Sequence, residues 1–186
     1  MAIKDILHET EEKMRKTVYA VNREFSEVRT GRASTSLVEG ILVEYYGTKT
    51  PIKQLATIST PEPRLVVIHP WDPSIIKQVE KAILEANLGI TPNNDGKLIR
   101  IGIPHLTDER RQELDKIVKK IAENGRVSLR TARRDANETL KQSEKNKDIA
   151  EDDRFKSQDE VQKFIDKYTA EIDQALAAKE KEIQEG

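Results

Sequence analysis

The chain has 186 residues, 35% of them charged and 4% aromatic, which excludes a wide, thick core but not long helices with narrow apolar stripes. Its net charge of −1 excludes attraction of a polyanion by the molecule as a whole, so any nucleic-acid binding requires local segregation of charge. The absence of cysteine removes disulfides, thiolate chemistry and most zinc sites, and no apolar run reaches the roughly 18 residues of a membrane helix, so a soluble cytoplasmic protein is expected.

In residues 3–28, Ile3, Leu7, Met14, Val18, Val21, Phe25 and Val28 lie on one stripe, with Thr10 and Thr17 filling its gaps. Steps of three and four predict an amphipathic helix of coiled-coil type. The composition then changes. All seven prolines and six of the eight glycines lie between Gly31 and Pro104, so this segment cannot be continuous helix. Within it, residues 41–46, 55–59, 64–69 and 97–103 read as strands. Asp72-Pro73-Ser74 opens a helix that closes at Asn87-Leu88-Gly89, and Asn93-Asn94-Asp95-Gly96 reads as a turn.

After Pro104 a second helix opens with Thr107 as N-cap and Asp108 and Glu109 as first-turn acids. Its apolar side is marked by Leu114, Ile117, Val118, Ile121, Leu129, Ala132, Ala136 and Leu140, and it runs to about Lys147, on the order of 60 Å. A short acidic turn over residues 148–154 follows. The third helix is expected from the capping box Ser157-Gln158-Asp159-Glu160, with Val161, Phe164, Ile165, Tyr168, Ile172, Leu176 and Ile183 on its stripe. A short loop makes antiparallel neighbours, and three single stripes are hidden only by facing one another. The expected fold class is therefore α+β. Residues 1–30 and 105–186 make an antiparallel three-helix bundle, and residues 31–104 an inserted small β/α/β domain. The two connections form a hinge at Thr30, Gly31 and Arg32 on one side and Ile103, Pro104 and His105 on the other.

Charge is segregated on the second helix. Between Lys116 and Arg134 there are seven basic residues (Lys116, Lys119, Lys120, Arg126, Arg130, Arg133 and Arg134) against one acid, Glu123. Lys119, Arg126, Arg130 and Arg133 fall within about 60° of one another at 100° per residue, about 110° from the apolar stripe, so they are expected to face outward. Such a face is the footprint of phosphate binding, and arginine suits bidentate phosphate contacts. A basic stripe can equally be a solvated face or pair with acids on neighbouring helices. In that case the chain reads as a coiled-coil adaptor for another protein.

Nothing in the sequence assembles a catalytic site. His8, His69 and His105 are far apart, with no metal spacing among them. Gly31-Arg32-Ala33-Ser34 lacks the pattern of a phosphate loop. The acids at Asp148, Glu151, Asp152 and Asp153 do not have EF-hand spacing and fit helix capping better than a metal-dependent nuclease. No catalytic residue, metal or cofactor is expected.

Four segments carry a resemblance: Val28-Arg29-Thr30-Gly31-Arg32-Ala33-Ser34, then Val43-Glu44-Tyr45-Tyr46-Gly47-Thr48, Pro104-His105-Leu106-Thr107-Asp108-Glu109-Arg110-Arg111 and Arg130-Thr131-Ala132-Arg133-Arg134-Asp135-Ala136-Asn137. With Glu151-Asp152-Asp153 and Gln158-Asp159-Glu160-Val161-Gln162-Lys163, the chain resembles the ribosome recycling factor family over essentially its whole length. The resemblance implies an L-shaped monomer that binds the post-termination ribosome through large-subunit RNA. With elongation factor G and GTP it splits the subunits, releasing messenger RNA and deacylated transfer RNA, and initiation factor three then keeps the subunits apart. Arg130 and Arg133, with Arg134 beside them, match the family's ribosome-contacting arginines. Arg29 and Arg32 flank the hinge motif, and Arg110 and Arg111 are weaker candidates. One departure stands out: Asn124-Gly125 falls mid-helix, where glycine costs about 1 kcal/mol relative to alanine. Close helix packing or a local bend would each account for it.

Overall fold

The computed structural model describes residues 2–186. They form four α-helices, α1 (Ile3–Glu27), α2 (Ile76–Glu85), α3 (Asp108–Lys145) and α4 (Glu151–Glu185), and six strands, β1 (Leu42–Tyr45), β2 (Thr48–Pro51), β3 (Ala56–Glu62), β4 (Leu65–Pro70), β5 (Pro92–Asn94) and β6 (Ile99–Gly102). Two compact units result, one of α1, α3 and α4, the other of Thr30–Thr107. Among the described residues no helix is long and apolar enough to cross a membrane.

In the helical unit α1, α3 and α4 pack pairwise against one another. The core is made of Ile6, Met14, Val18, Val21 and Phe25 from α1, Leu114, Val118, Ala122, Leu129, Ala136 and Leu140 from α3, and Val161, Ile165, Tyr168, Ile172 and Ile183 from α4. Two polar side chains that enter it are hydrogen-bonded. Thr10 Oγ1 donates to the Ile6 carbonyl at 2.7 Å, and the Tyr168 hydroxyl donates across to Glu11 at 2.9 Å.

Gly125 is buried where α3 packs against Val21 of α1 and Ile172 of α4. A Cβ built on it would lie 2.5 Å from Val21 Cγ2 and 3.1 Å from Ile172 Cδ1. The mid-helix glycine is thus a close-packing device within an α3 that runs unbroken from Asp108 to Lys145.

The α3–α4 corner differs from the sequence expectation. The third helix begins at Glu151, not Ser157, so Glu151, Asp152 and Asp153 form its first turn, where a helix N-terminus favours negative charge. Ser157 is buried one turn further in and its hydroxyl donates back to the Asp153 carbonyl at 2.7 Å, so the capping-box pattern lies inside the helix. The turn itself occupies residues 146–150. Lys147 takes the left-handed conformation there, and Arg154 of α4 pairs with Glu144 of α3 across it.

The other unit holds an antiparallel β1–β2 hairpin and an antiparallel four-stranded sheet of order β3-β4-β6-β5. Val66, Ile68, Ile99 and Ile101 from the sheet pack with Ile76, Val79 and Ile83 of α2 and with Val38, Val43 and Ile52. Before α2, Asp72 accepts a hydrogen bond from the Ser74 N–H at 3.0 Å and Pro73 starts a short 3-10 turn. Two strands were not legible: β2, which is polar and ends on Pro51, and β5, which begins on Pro92. Pro92 is tolerated because β5 is an edge strand, and Pro61 lies at an irregularity in β3, the other edge. The predicted turn at residues 93–96 shrinks accordingly, since Asn93 and Asn94 pair with Arg100 and Ile99. Tyr46 and Gly47 both have positive φ and make the two-residue turn of the first hairpin, so the strand predicted over residues 41–46 stops at Tyr45.

The Asp95 carboxylate accepts from the N–H groups of Leu98 and Lys97 at 2.8 and 2.9 Å and pairs with Arg100. These backbone bonds first, then Arg100, hold its pKa below the ordinary carboxylate range. Two predictions follow from the packing and from this turn. Gly125→Ala will gain roughly 1 kcal/mol of helix propensity but lose more to overpacking, because Val21 is stiff. A net drop in thermal midpoint is expected, recovered when Val21→Ala is added. Asp95 stabilises the folded state fully above an unfolded pKa of about 3.9, and that contribution fades as pH falls below it. Asp95→Asn should therefore flatten the acid limb of the unfolding midpoint plotted between pH 6 and 3.

Candidate nucleic-acid interface

The basic face of α3 is built by helix geometry, but its orientation is set by which residues are buried. Ile117 is exposed and Ile121 only half-buried, whereas Ala122, Gly125 and Ser143 are buried. The buried stripe therefore lies roughly 85° from the centre of the basic face rather than about 110°. As a result Arg126 and Arg133, expected to face outward, border the α4 seam and are half-buried, while Arg130 and Arg134 are exposed, the latter 77%.

That seam is lined with partners. Lys119 reaches Asp115 at 3.0 Å and Glu180 of α4 at 3.9 Å, and Asp115 chiefly holds its ammonium above the ordinary pKa. Arg126 donates through Nη2 and Nε to Asp173 of α4 at 2.6 and 3.0 Å, which raises the guanidinium pKa. Arg126 also reaches Glu123 at 3.3 Å, and Arg130 donates to the same carboxylate at 2.7 Å. Arg130 first, then Arg126, lowers the Glu123 pKa. So the sparse acids near these cations in sequence are supplemented by acids of α4.

Beyond Arg130 the pattern changes. Arg133, Arg134, Asn137, Glu138 and Lys141 of α3 and Gln162 of α4 line an open groove of about 330 Å³. Three cations and one acid meet there, and Glu138 already accepts from Gln142 Nε2 at 3.0 Å. Among the described residues Arg134 pairs only with its neighbour Asp135, at 3.7 Å. Arg133 donates to the amide oxygen of Gln162 at 3.2 Å. Planar cations at a groove mouth suit bidentate phosphate contacts.

A family model described as "Ribosome recycling factor" matches residues 21–183. The chain is 56% identical over 97% of its length to a ribosome-recycling factor of Oleidesulfovibrio alaskensis, of which 98% is covered. It is 52% identical to that of Nitratidesulfovibrio vulgaris over the full length of both. The chain belongs to the ribosome recycling factor family. This is a family of non-enzymatic translation factors. A solution structure of a ribosome recycling factor matches with a TM-score of 0.73 and 45% identity, covering 100% of this chain and 99% of that one. Another match, with a TM-score of 0.62 and 39% identity, covers 98% and 99% of the two chains. It describes the T. thermophilus ribosome recycling factor and the E. coli elongation factor G bound to the E. coli post-termination complex.

Within this chain the structure brings Lys119, Arg126, Arg130, Arg133 and Arg134 together along α3. Arg29 is exposed just past α1 in the same unit, whereas Arg32 belongs to the other unit. Arg110 and Arg111 lie in the first turn of α3, paired with Glu113 and Asp108. His8, His69 and His105 are all exposed, and no group of three or more metal-ligating side chains is found among the described residues. Sequence reading missed Lys141, Asn137 and Gln162. Counting outward from the α3–α4 turn would have paired Gln162 with Arg133, had the turn been placed at residues 146–150.

Arg126 and Asp173 are expected to serve the fold. Each is partly exposed, so Arg126→Ala or Asp173→Asn should cost about 0.5–1 kcal/mol, with the double variant little worse than either. Arg130→Ala and Arg134→Ala should stay within about 0.5 kcal/mol of wild type in the same thermal melts.

Proposed function

We propose that this recycling factor anchors its helical unit on large-subunit ribosomal RNA through Arg133, Arg130 and Arg134, with Lys119, Arg126, Arg29 and Arg32 contributing charge. The observation that carries this is the groove at Arg133, Arg134 and Lys141, where cations of α3 outnumber acids. Farther along the seam, Lys119 and Arg126 are tied to carboxylates of α4 and supply less. Charge-assisted phosphate contacts of this kind position a protein on RNA without reading its sequence.

The family relationship and the relative solved with elongation factor G on the post-termination complex support the remaining steps. The monomeric factor enters the post-termination ribosome in the cytoplasm. Elongation factor G then engages it and hydrolyses GTP. The subunits separate, messenger RNA and deacylated transfer RNA leave, and initiation factor three keeps the subunits apart. The factor contributes position and mechanical coupling rather than chemistry. The connections at Thr30, Gly31 and Arg32 and at Ile103, Pro104 and His105 serve as the hinge for that coupling. Gly31 suits the role by its backbone, since its φ of +79° strains any residue with a Cβ, and an added Cβ would lie 3.0 Å from Leu106 Cγ.

The test is splitting of post-termination ribosomes by light scattering with elongation factor G and GTP. Arg133→Ala is expected to lose most of the splitting at limiting factor while remaining folded by circular dichroism. Full activity in that variant would remove the anchor. Binding to large subunits should weaken with salt at a log–log slope of roughly −3, as for about four neutralised phosphates.

A further inference from the structure

The seam between α3 and α4 repeats one arrangement twice and then departs from it. As α3 is followed toward its C-terminus, Lys119 meets Glu180 and Arg126 meets Asp173 in seven-residue steps on both helices, but Arg133, seven residues on, meets Gln162, one turn past Asp166. The first two partners are carboxylates. The third is an amide of nearly the same shape as glutamate.

The amide is held in one orientation by what lies on either side. Its oxygen accepts from Arg133 Nη1 at 3.2 Å, and its Nε2 donates to Asp166 Oδ1 at 2.9 Å, one turn along α4. Reversing the amide would face NH2 to a guanidinium and oxygen to a carboxylate, so only one orientation satisfies both neighbours. Gln162 thus stands as a neutral spacer between Arg133 and Asp166. Among the described residues Arg133 has no ion pair, although it is half-buried against an acidic helix.

We propose that Gln162 is a positioning residue for the RNA anchor: it fixes the Arg133 guanidinium at the groove while leaving its charge uncompensated for an RNA phosphate. The inference rests on the anchor proposed above. A carboxylate at this position would pair with Arg133 internally, and a phosphate would have to displace it. A methyl group would leave the charge intact and remove only the tether, so the guanidinium would lose orientation but not electrostatic pull. The residue type at position 162 therefore sets how much of the Arg133 charge reaches a ligand.

The experiment compares wild type, Gln162→Glu, Gln162→Ala, Arg133→Ala and the Gln162→Glu/Arg133→Ala double variant. Each full-length protein is titrated onto purified large ribosomal subunits across a salt series, and thermal midpoints are recorded. Gln162→Glu is expected to bind about tenfold more weakly near 0.1 M salt, with the slope reduced by about one, while its midpoint changes little because the new pair with Arg133 offsets repulsion from Asp166. Gln162→Ala should lose only about two- to threefold, with the slope unchanged. The double variant should bind no more weakly than Arg133→Ala alone, because the glutamate then has no anchor to neutralise. If Arg133→Ala weakens binding and Gln162→Glu does not, the spacer role is wrong and the anchor stands. Wild-type binding by Arg133→Ala would overturn both. A double variant weaker than Arg133→Ala by the full Gln162→Glu effect would show general repulsion of RNA and overturn the positioning role.

Discussion

The close approach of three helices at Gly125 fixes the geometry on which the rest of the helical unit depends. Val21 and Ile172 fill the space a side chain would take, so α1 and α4 contact the α3 backbone there. The residues next in sequence to this contact, Arg126 on α3 and Asp173 on α4, form the ion pair at 2.6 Å. Packing and charge therefore specify the same register. Shifting α4 by one turn along α3 would bring Thr169 or Ala177 to the place of Asp173 and leave Arg126 without its carboxylate. With the register set, Arg133 reaches α4 at Gln162, one turn past Asp166.

This arrangement divides one helix face between two tasks. Lys119 and Arg126 are spent on holding α4, an assignment that suits their position near the middle of the seam. Arg134, the more exposed, and Arg133, held by an amide, keep charge available outside, and Arg130 shares the Glu123 carboxylate with Arg126. The chain's net charge of −1 is compatible with RNA binding because α4 acids compensate Lys119 and Arg126, while the groove holds three cations against one acid.

Most of the architecture was legible in the sequence because the signals were local. The three long helices followed from apolar spacing, and the confinement of prolines to the middle of the chain separated the two kinds of structure. The failures share a cause in tertiary context. Apolar spacing alone put Ile117 on the buried stripe and omitted Gly125 and Ala122, because small residues at a tight helix crossing carry no hydrophobic signature. Rotating the stripe moved Arg126 and Arg133 onto the seam. Ser157 sat in a capping-box pattern, yet the helix starts six residues earlier on Glu151, where an acidic first turn serves as well. Strands β2 and β5 were hidden by Pro51 and Pro92, which edge positions tolerate. The groove could be read only in part, since Arg133, Arg134 and Lys141 share α3 but Gln162 comes from another helix.

The most direct test of the account is where ribosomal RNA lies when the factor is bound. The chain has no cysteine, so Glu138→Cys provides a single attachment point at the groove for an iron chelate that generates hydroxyl radicals. With the tethered factor bound to post-termination ribosomes, strong cleavage confined to a few positions of large-subunit RNA is expected. Bound factor that cuts no large-subunit RNA from this position would contradict the anchor, whatever its splitting activity.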